Sequence, residues 1–147
     1  MLFRSPIDPD KEPQKYAAFI AKVAGCADCH TPQNRGDAVP GMMLAGGEPI
    51  DGPWGKMASA NLTPDDTGIK NYTEDFFVQV MRSGVVNGQK LSVAMPIAAY
   101  KQLDDRDLKA IYSYLRTTTP VKHHVDNSQS PTDCKLCRHR HGGGEQN

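Results

Sequence analysis

The best candidates for chemistry in this sequence are two cysteines and a histidine in the run Cys26-Ala27-Asp28-Cys29-His30. Two thiols three positions apart lie on one helical turn, where each can form a thioether with a vinyl group of the same porphyrin. The histidine after the second thiol then lies under the ring and can bind its iron. A thioredoxin-like dithiol would follow a strand, and a zinc site would need ligands far along the chain. The run therefore predicts one covalently attached c-type haem.

A methionine sulfur is the expected second axial ligand of this iron, because a thioether fills the position and raises the reduction potential. The sequence has six methionines, at positions 1, 42, 43, 57, 81 and 95. Met95 precedes a proline, which stiffens the backbone that would hold a weak ligand. Met81 falls on the apolar stripe of a predicted helix, and the pair at 42 and 43 lies awkwardly close to the motif histidine. We predict that Met95 is the sixth ligand, with Met57 as the alternative.

A second cysteine pair, Cys134 and Cys137, has a different setting. Arg138 stands where a second haem motif would need histidine, so we expect one haem only. Three interpretations remain open for this pair. They are a local disulfide, a zinc or copper site, and a reactive dithiol activated by neighbouring basic residues. The metal site would use both cysteines together with His139 and His141.

The haem motif is expected to lie between a helix and a long loop. Apolar residues at helical spacing predict a first helix from Asp10 to Val23, which Gly25 ends just before the motif. Residues 31–70 lack periodicity and contain several glycines and prolines, which is typical of a loop. So long a loop is unusual in a compact domain, but it is reasonable if it wraps a large rigid cofactor.

Two further helices are expected after this loop. Thr73 is a suitable N-cap for the second helix, and Gly84 can end it. Asp104 or Asp105 caps the last helix, which ends before Pro120. Long alternation of polar and apolar residues is missing, so we predict an all-α fold of three to five helices with long loops.

Residues 122–147 differ in character from the rest of the chain. They contain four of the five histidines, the second cysteine pair and three consecutive glycines, with few large apolar residues. We expect residues 1–121 to form the haem domain and residues 122–147 to form a tail that docks on it or is partly disordered. His123 and His124 are expected to be exposed there.

The composition bounds the function. A chain of 147 residues fits one domain, and 17 lysines and arginines balance 17 aspartates and glutamates. Zero net charge argues against a nucleic-acid partner held by bulk charge. No run approaches the roughly 18–20 apolar residues that a membrane span needs. The first residues lack a signal-peptide pattern, which leaves a cytosolic protein or an exported one whose leader or anchor is not in this sequence. The c-type haem motif favours the exported protein.

The sequence resembles class I cytochrome c domains over approximately residues 10–120, in the haem motif and in several other stretches. More specifically, it is similar to cytochrome subunits of bacterial membrane-bound dehydrogenases and to related periplasmic cytochromes. The matching stretches are Ala24 to Thr31, Asn61 to Asp65, Thr67 to Ile69, Ala94 to Pro96, Tyr100 to Leu103, Asp107-Leu108 and Ile111 to Arg116.

This resemblance implies a class I cytochrome c fold, in which the first and last helices cross near the haem and the iron has histidine/methionine ligation. It also implies that Asn61 lines the haem pocket and that Trp54 reaches a haem propionate. The other ring nitrogen of His30 needs an acceptor. In the family a proline-containing loop supplies it, which here points to Pro40 or Gly41.

Three more side chains have polar ends that could meet the haem propionates. They are Arg35, Tyr72 and Tyr100. Buried propionates need hydrogen-bond donors, but these residues could equally serve packing or solvation.

The expected function is one-electron transfer in a bacterial periplasm, without bond-making catalysis. A dehydrogenase or another donor would pass electrons to the haem, and an oxidase or another cytochrome would accept them through a small transient interface. Two alternatives belong to other classes. One is a haem enzyme or gas sensor with an open iron site, and the other is a metal-handling or thiol-redox module centred on the tail.

Overall fold

Five helices provide most of the regular structure in the computed structural model, which describes residues 5–147. They are α1 (Pro13–Val23), α2 (Cys26–His30), α3 (Glu74–Ser83), α4 (Ile97–Tyr100) and α5 (Asp105–Thr117). This confirms the predicted all-α class. Membrane-spanning helices are absent from residues 5–147, since none there is both long and apolar enough.

Short antiparallel hairpins, each of two strands, fill the connections. They are β1–β2 (Gln33–Asn34, Asp37–Ala38), β3–β4 (Pro49–Gly52, Gly55–Ala58), β5–β6 (Val85–Val86, Gln89–Lys90) and β7–β8 (Pro131–Asp133, Arg140–Gly142). Two of them lie in the segment predicted to be a plain loop. Strands of two to four residues are too short to produce recognisable alternation, which is why the sequence did not predict them.

The first and last helices pack against each other, as the resemblance implies. Helix α1 begins at Pro13, later than predicted, because proline fits the first helical turn without losing a hydrogen bond. The Tyr16 hydroxyl donates to Asp107 across the pair of helices. Helix α5 buries three apolar side chains at helical spacing, Leu108, Ile111 and Leu115.

Helix α3 has the ends that its sequence predicts. The Thr73 hydroxyl accepts the backbone N–H of Phe76 at 3.1 Å, and Gly84 ends the helix in the left-handed conformation at φ 67°. Its buried face meets α5, where the rings of Phe77 and Tyr112 lie 5.6 Å apart.

Two apolar clusters organise the described chain. The main core joins the helices to the haem motif and to two loop residues; it comprises Cys26, Leu44, Ile69, Phe77, Met81, Leu108, Ile111 and Leu115. The smaller cluster joins the loop to the tail; it comprises Val39, Met42, Ala45, Cys134 and Cys137. The tail therefore docks on the loop that follows the haem motif.

Candidate functional site

Helix α2 places the two thiols of the first cysteine pair on a single turn. Gly25, at φ 71°, redirects the chain into this short helix directly after α1. Cys26 is buried in the main core, whereas Cys29 is exposed. Burial raises the pKa of the Cys26 thiol to about 11. The Cys26 thiol thus faces the protein interior, and the Cys29 thiol faces the protein surface. This placement suits a flat group that lies against the core and reaches the surface.

The ring of His30 is held by a backbone carbonyl. Its Nδ1 lies 2.8 Å from the carbonyl oxygen of Ala60, so Nδ1 carries the hydrogen and Nε2 bears the lone pair. Burial lowers the pKa of this imidazole, which favours the neutral form. The acceptor is Ala60 rather than the suggested Pro40 or Gly41, because the loop returns past the motif at residues 59–61.

A glycine makes this return possible. Gly46, at φ 73°, lies so close to Ala60 that a Cβ atom would be 2.4 Å from the Ala60 carbonyl carbon. The N–H of Gly46 also donates to the carbonyl oxygen of His30 at 2.7 Å. The segment around Gly46 therefore fixes both the backbone of His30 and the carbonyl that orients its ring.

Met95 is partly buried and packs against the main core, which includes Cys26. Its backbone is held on both sides, since its N–H donates to Ser92 and its carbonyl accepts from Ile97. The other described methionines lie elsewhere. Met81 is enclosed within the core, Met42 packs with the tail, Met43 is 55% exposed and Met57 lies on β4.

The four suggested propionate partners lie in different parts of the described chain. The Tyr100 hydroxyl donates to the carbonyl of Ala24 at 2.6 Å, and burial raises its pKa to about 12. Trp54 is 47% exposed and its ring lies against Gly52 of its own hairpin. Arg35 lies exposed in the β1–β2 turn, and Tyr72 stacks edge-on against Phe76.

Asn61 connects the loop to the tail. Its amide nitrogen donates to the carbonyls of Val121 and His123, at 2.8 and 3.2 Å, and to the hydroxyl of Thr67. Its amide oxygen accepts from the N–H and hydroxyl of Thr63. Asn61 is therefore buried and fully hydrogen-bonded, and its side chain fastens the start of the tail.

The residues of the motif fit a covalently attached haem. Two thiols on one helical turn, followed by an imidazole whose Nε2 remains free, are the donors that this group requires. Met95 lies against the same core and offers a thioether.

The second cysteine pair belongs to a buried cluster of four side chains, His123, Cys134, Cys137 and His141. One ligand atom from each lies within 4.8 Å of all the others, so this cluster could bind a metal ion. His139, which the sequence placed in this set, lies outside it. Its Nε2 meets the carbonyl of Gln33 at 2.8 Å and lies 3.5 Å from the Glu48 carboxylate.

His123 takes the place expected for His139. It was predicted to be exposed, but it is fully buried, and burial lowers the pKa of its ring. Burial also raises the pKa of the Cys137 thiol. Sequence reasoning missed His123 because it lies eleven residues before Cys134 and belongs to no local motif. The one sequence signal for His123 is that zinc sites often contain two cysteines and two histidines, so the pair of cysteines with His141 called for a second histidine.

Comparison with known proteins identifies the family. The family model described as cytochrome c matches residues 16–119, which is most of the chain. The chain therefore belongs to the cytochrome c family, whose members carry electrons on a covalently bound haem.

Similar proteins are cytochrome subunits of bacterial dehydrogenases. The fructose dehydrogenase cytochrome subunit of Gluconobacter japonicus is 41% identical over 116 residues, covering 77% of this chain and 23% of that protein. The gluconate 2-dehydrogenase cytochrome c subunit of Pantoea cypripedii is 36% identical over 120 residues, covering 80% and 26%. The cytochrome c subunit of the quinone-dependent alcohol dehydrogenase of Gluconobacter oxydans is 35% identical over 109 residues, covering 73% and 22%. The chain thus spans about a quarter of the length of these relatives.

Proposed function

We propose that this protein transfers single electrons through one c-type haem bound by Cys26 and Cys29, with its iron between His30 and Met95. The observation that carries the proposal is the hydrogen bond from His30 Nδ1 to the Ala60 carbonyl, directly after two thiols on one helical turn. It leaves Nε2 as the ring's only free lone pair and limits rotation of the ring. A haem held there supplies an iron that alternates between the ferrous and ferric states.

Each residue of the site has a distinct task in this proposal. The two thiols anchor the ring and keep it in place during each change of charge. His30 contributes a neutral nitrogen of fixed orientation, and its carbonyl partner makes that nitrogen a stronger donor. Met95 contributes a soft sulfur that favours the ferrous state and raises the reduction potential. The apolar side chains of the main core would keep water from a haem bound there, which also raises the reduction potential.

Support for Met95 comes from its position relative to the other methionines. It is partly buried and packs against the core that contains Cys26, and its backbone is hydrogen-bonded on both sides. Met57, the alternative, lies on the β3–β4 hairpin and is not a member of that core. A ligand must be near the ring yet able to turn toward it, which suits a half-buried loop residue better than an enclosed one.

The partners follow from the relatives. Proteins named as cytochrome subunits of fructose and gluconate dehydrogenases match most of this chain. We propose that a dehydrogenase of the periplasm or the periplasmic membrane face donates electrons to this haem. An oxidase or a second cytochrome would then accept them from the haem. Because the formal net charge is zero, local patches must orient these encounters.

The experiment tests ligation on protein matured in a cytochrome-assembling host. Mass spectrometry under denaturing conditions is expected to give the polypeptide plus one haem. Ferric protein is expected to show the long-wavelength charge-transfer band of a methionine–iron bond. Met95→Ala should lose this band, whereas Met57→Leu should keep it. A band lost in Met57→Leu and kept in Met95→Ala would reverse the ligand assignment, and rapid binding of carbon monoxide by the wild type would favour an open-site enzyme or sensor.

A further inference from the structure

We propose that His123, Cys134, Cys137 and His141 bind one zinc ion, which fastens the tail to the loop supporting the haem histidine. The distances suit one ion. Nε2 of His123 lies 3.2 Å from Nε2 of His141 and 3.3 Å from Sγ of Cys134. Tetrahedral zinc bonds of about 2.0–2.3 Å separate ligand atoms by roughly 3.3–3.8 Å. The two distances at His123 are close to this range, and all four ligand atoms lie within 4.8 Å of one another, so one ion can bind all of them after small side-chain shifts.

The two histidines are arranged as ligands. Nδ1 of His123 lies 2.8 Å from the carbonyl of Ala45, and Nδ1 of His141 lies 2.9 Å from the carbonyl of Gly142. A carbonyl only accepts, so each Nδ1 carries the hydrogen and each Nε2 carries a lone pair. Two lone pairs then face each other at 3.2 Å inside the protein. A cation between them removes this repulsion, and carbonyls holding the distant ring nitrogens are the usual support for metal-binding histidines.

The ligand set and its burial favour zinc. All four side chains are at most 4% exposed, so the site is closed and leaves no position for substrate or water. Two cysteines and two histidines in tetrahedral arrangement form a typical structural zinc site. Copper electron-transfer sites instead use two histidines and one cysteine in a trigonal plane.

The surrounding backbone is shaped around the cluster. Gly47, at φ 86°, lies so close that a Cβ atom would be 2.5 Å from Cε1 of His123 and 3.1 Å from Sγ of Cys137. The N–H of Cys137 points at Sγ of Cys134 at 3.5 Å, as expected for a donor to a thiolate. Only a residue without a side chain leaves room for the ligands at position 47.

Zinc at this position would join two parts of the molecule. The second cysteine pair lies at the tip of the β7–β8 hairpin, and His123 holds the loop through the Ala45 carbonyl. The next loop residue, Gly46, donates to the carbonyl of His30. The ion would therefore stabilise the segment that positions the haem histidine, although its own binding needs neither the haem nor electron transfer.

Zinc binding would exchange the protons of the two thiols for the metal ion. Two thiols lose their protons to the solvent, two Zn–S and two Zn–N bonds form, and no group is oxidised or reduced. A disulfide between Cys134 and Cys137 would exclude this exchange, so the two states can be told apart directly.

The decisive experiment uses the wild-type holoprotein, as purified and after addition of Zn²⁺ alone. We expect one zinc for each haem iron and, at the zinc X-ray absorption edge, two sulfur and two nitrogen neighbours. Cys134 and Cys137 should resist alkylation until the protein is denatured. A disulfide between them, copper in place of zinc, or zinc surrounded by oxygen ligands would overturn the proposal.

A matched pair of variants tests the ligand set. His141→Ala should lose the zinc, whereas His139→Ala, two residues away and outside the cluster, should keep it. Intact haem attachment and a helical circular dichroism spectrum would show that each variant has folded. Should His141→Ala fail to fold, the wild-type absorption spectrum still decides the matter. Zinc lost from His139→Ala and kept in His141→Ala would refute these ligands.

Discussion

The molecule contains two Cys-x-x-Cys pairs that differ in secondary structure and in the burial of their thiols. The first lies in a five-residue helix, with one thiol buried and one exposed, and its histidine follows immediately. The second lies at the tip of a hairpin with both thiols buried, and its two histidines come from other parts of the tail. The first arrangement suits a large cofactor lying across the core, and the second is of a size and composition that suit a single ion. Spacing between the thiols is therefore not sufficient to identify their chemistry.

The largest expected effect comes from removing each pair in turn. Cys26→Ala with Cys29→Ala should abolish covalent haem attachment, because no thiol remains in the haem motif. Cys134→Ala with Cys137→Ala should keep the haem and lose the zinc. Haem staining after denaturing electrophoresis and metal analysis measure the two outcomes. Loss of covalent haem from the second variant with retention in the first would reverse the roles of the pairs.

The second largest effect concerns the reduction potential of the haem. Met95→Ala should lower the reduction potential by on the order of 0.1 V or more, because a soft sulfur ligand, as proposed for Met95, stabilises ferrous iron. Potentiometric titration of the haem bands measures the change. Met43→Leu is the control, since Met43 is 55% exposed and should leave the potential almost unchanged. Equal potentials in wild type and Met95→Ala would exclude this ligand.

Removing zinc should destabilise the tail, residues 122–147. Zinc at a thousand times its dissociation constant would contribute about 4 kcal/mol of stability, and its removal should lower Tm by on the order of 10 °C. Calorimetry with and without a chelator measures the shift, and limited proteolysis should then cleave first within residues 122–147. The chelator should leave Tm unchanged in the His141→Ala variant. An equal fall in that variant would mean that the chelator acts elsewhere.

Substitutions at two glycines distinguish the stability lost to backbone strain from the zinc affinity lost to crowding of the ligands. Gly47→Ala and Gly36→Ala both place a side chain at strongly positive φ, 86° and 90°. Each should lose about 1–2 kcal/mol from the left-handed backbone. Only position 47 faces the ligands, whereas a Cβ at position 36 would meet nothing within 4 Å. Zinc affinity should therefore fall in Gly47→Ala alone, and an equal fall in both would contradict the packing described here.

The smallest effect concerns a hydrogen-bonded contact of the tail. The Asn127 amide accepts from the N–H of Ala58 at 2.8 Å and donates to its carbonyl at 2.9 Å. Asn127→Ala should cost about 1 kcal/mol in the free energy of unfolding. Haem attachment and zinc content should not change, which denaturant titration and metal analysis can show. A loss as large as that caused by chelation would mean that hydrogen bonds, rather than zinc, hold the tail.

The parts of the site predictable from sequence are those encoded by neighbouring residues. The haem motif and both ends of α3 depend on side chains within a few positions of one another, and the helix ends are confirmed. The β5–β6 hairpin was missed although Asn87 and Gly88, both at positive φ, are a strong turn signal. Its strands are too short for alternation to reveal.

The missed parts depend on contacts between distant residues. Ala60 supplies a backbone carbonyl, which has no sequence signature, so the partner of His30 could not be read from side-chain types. His139 was preferred over His123 because it lies beside the second cysteine pair. Arg138, at φ 65°, turns the chain there, and His139 reaches Gln33 instead. The fold, rather than proximity in sequence, decides which histidine joins the cluster.

Native and denaturing mass spectra of the same holoprotein test the central contrast most directly. The native mass should equal the polypeptide with one haem and one zinc ion. In denaturing acid the zinc should leave and the haem should stay, because acid breaks the proposed zinc bonds but not the proposed thioether bonds of the first cysteine pair. A bare polypeptide in acid would contradict the haem assignment, and a native mass without zinc but two hydrogens lighter would show a disulfide in place of the metal site.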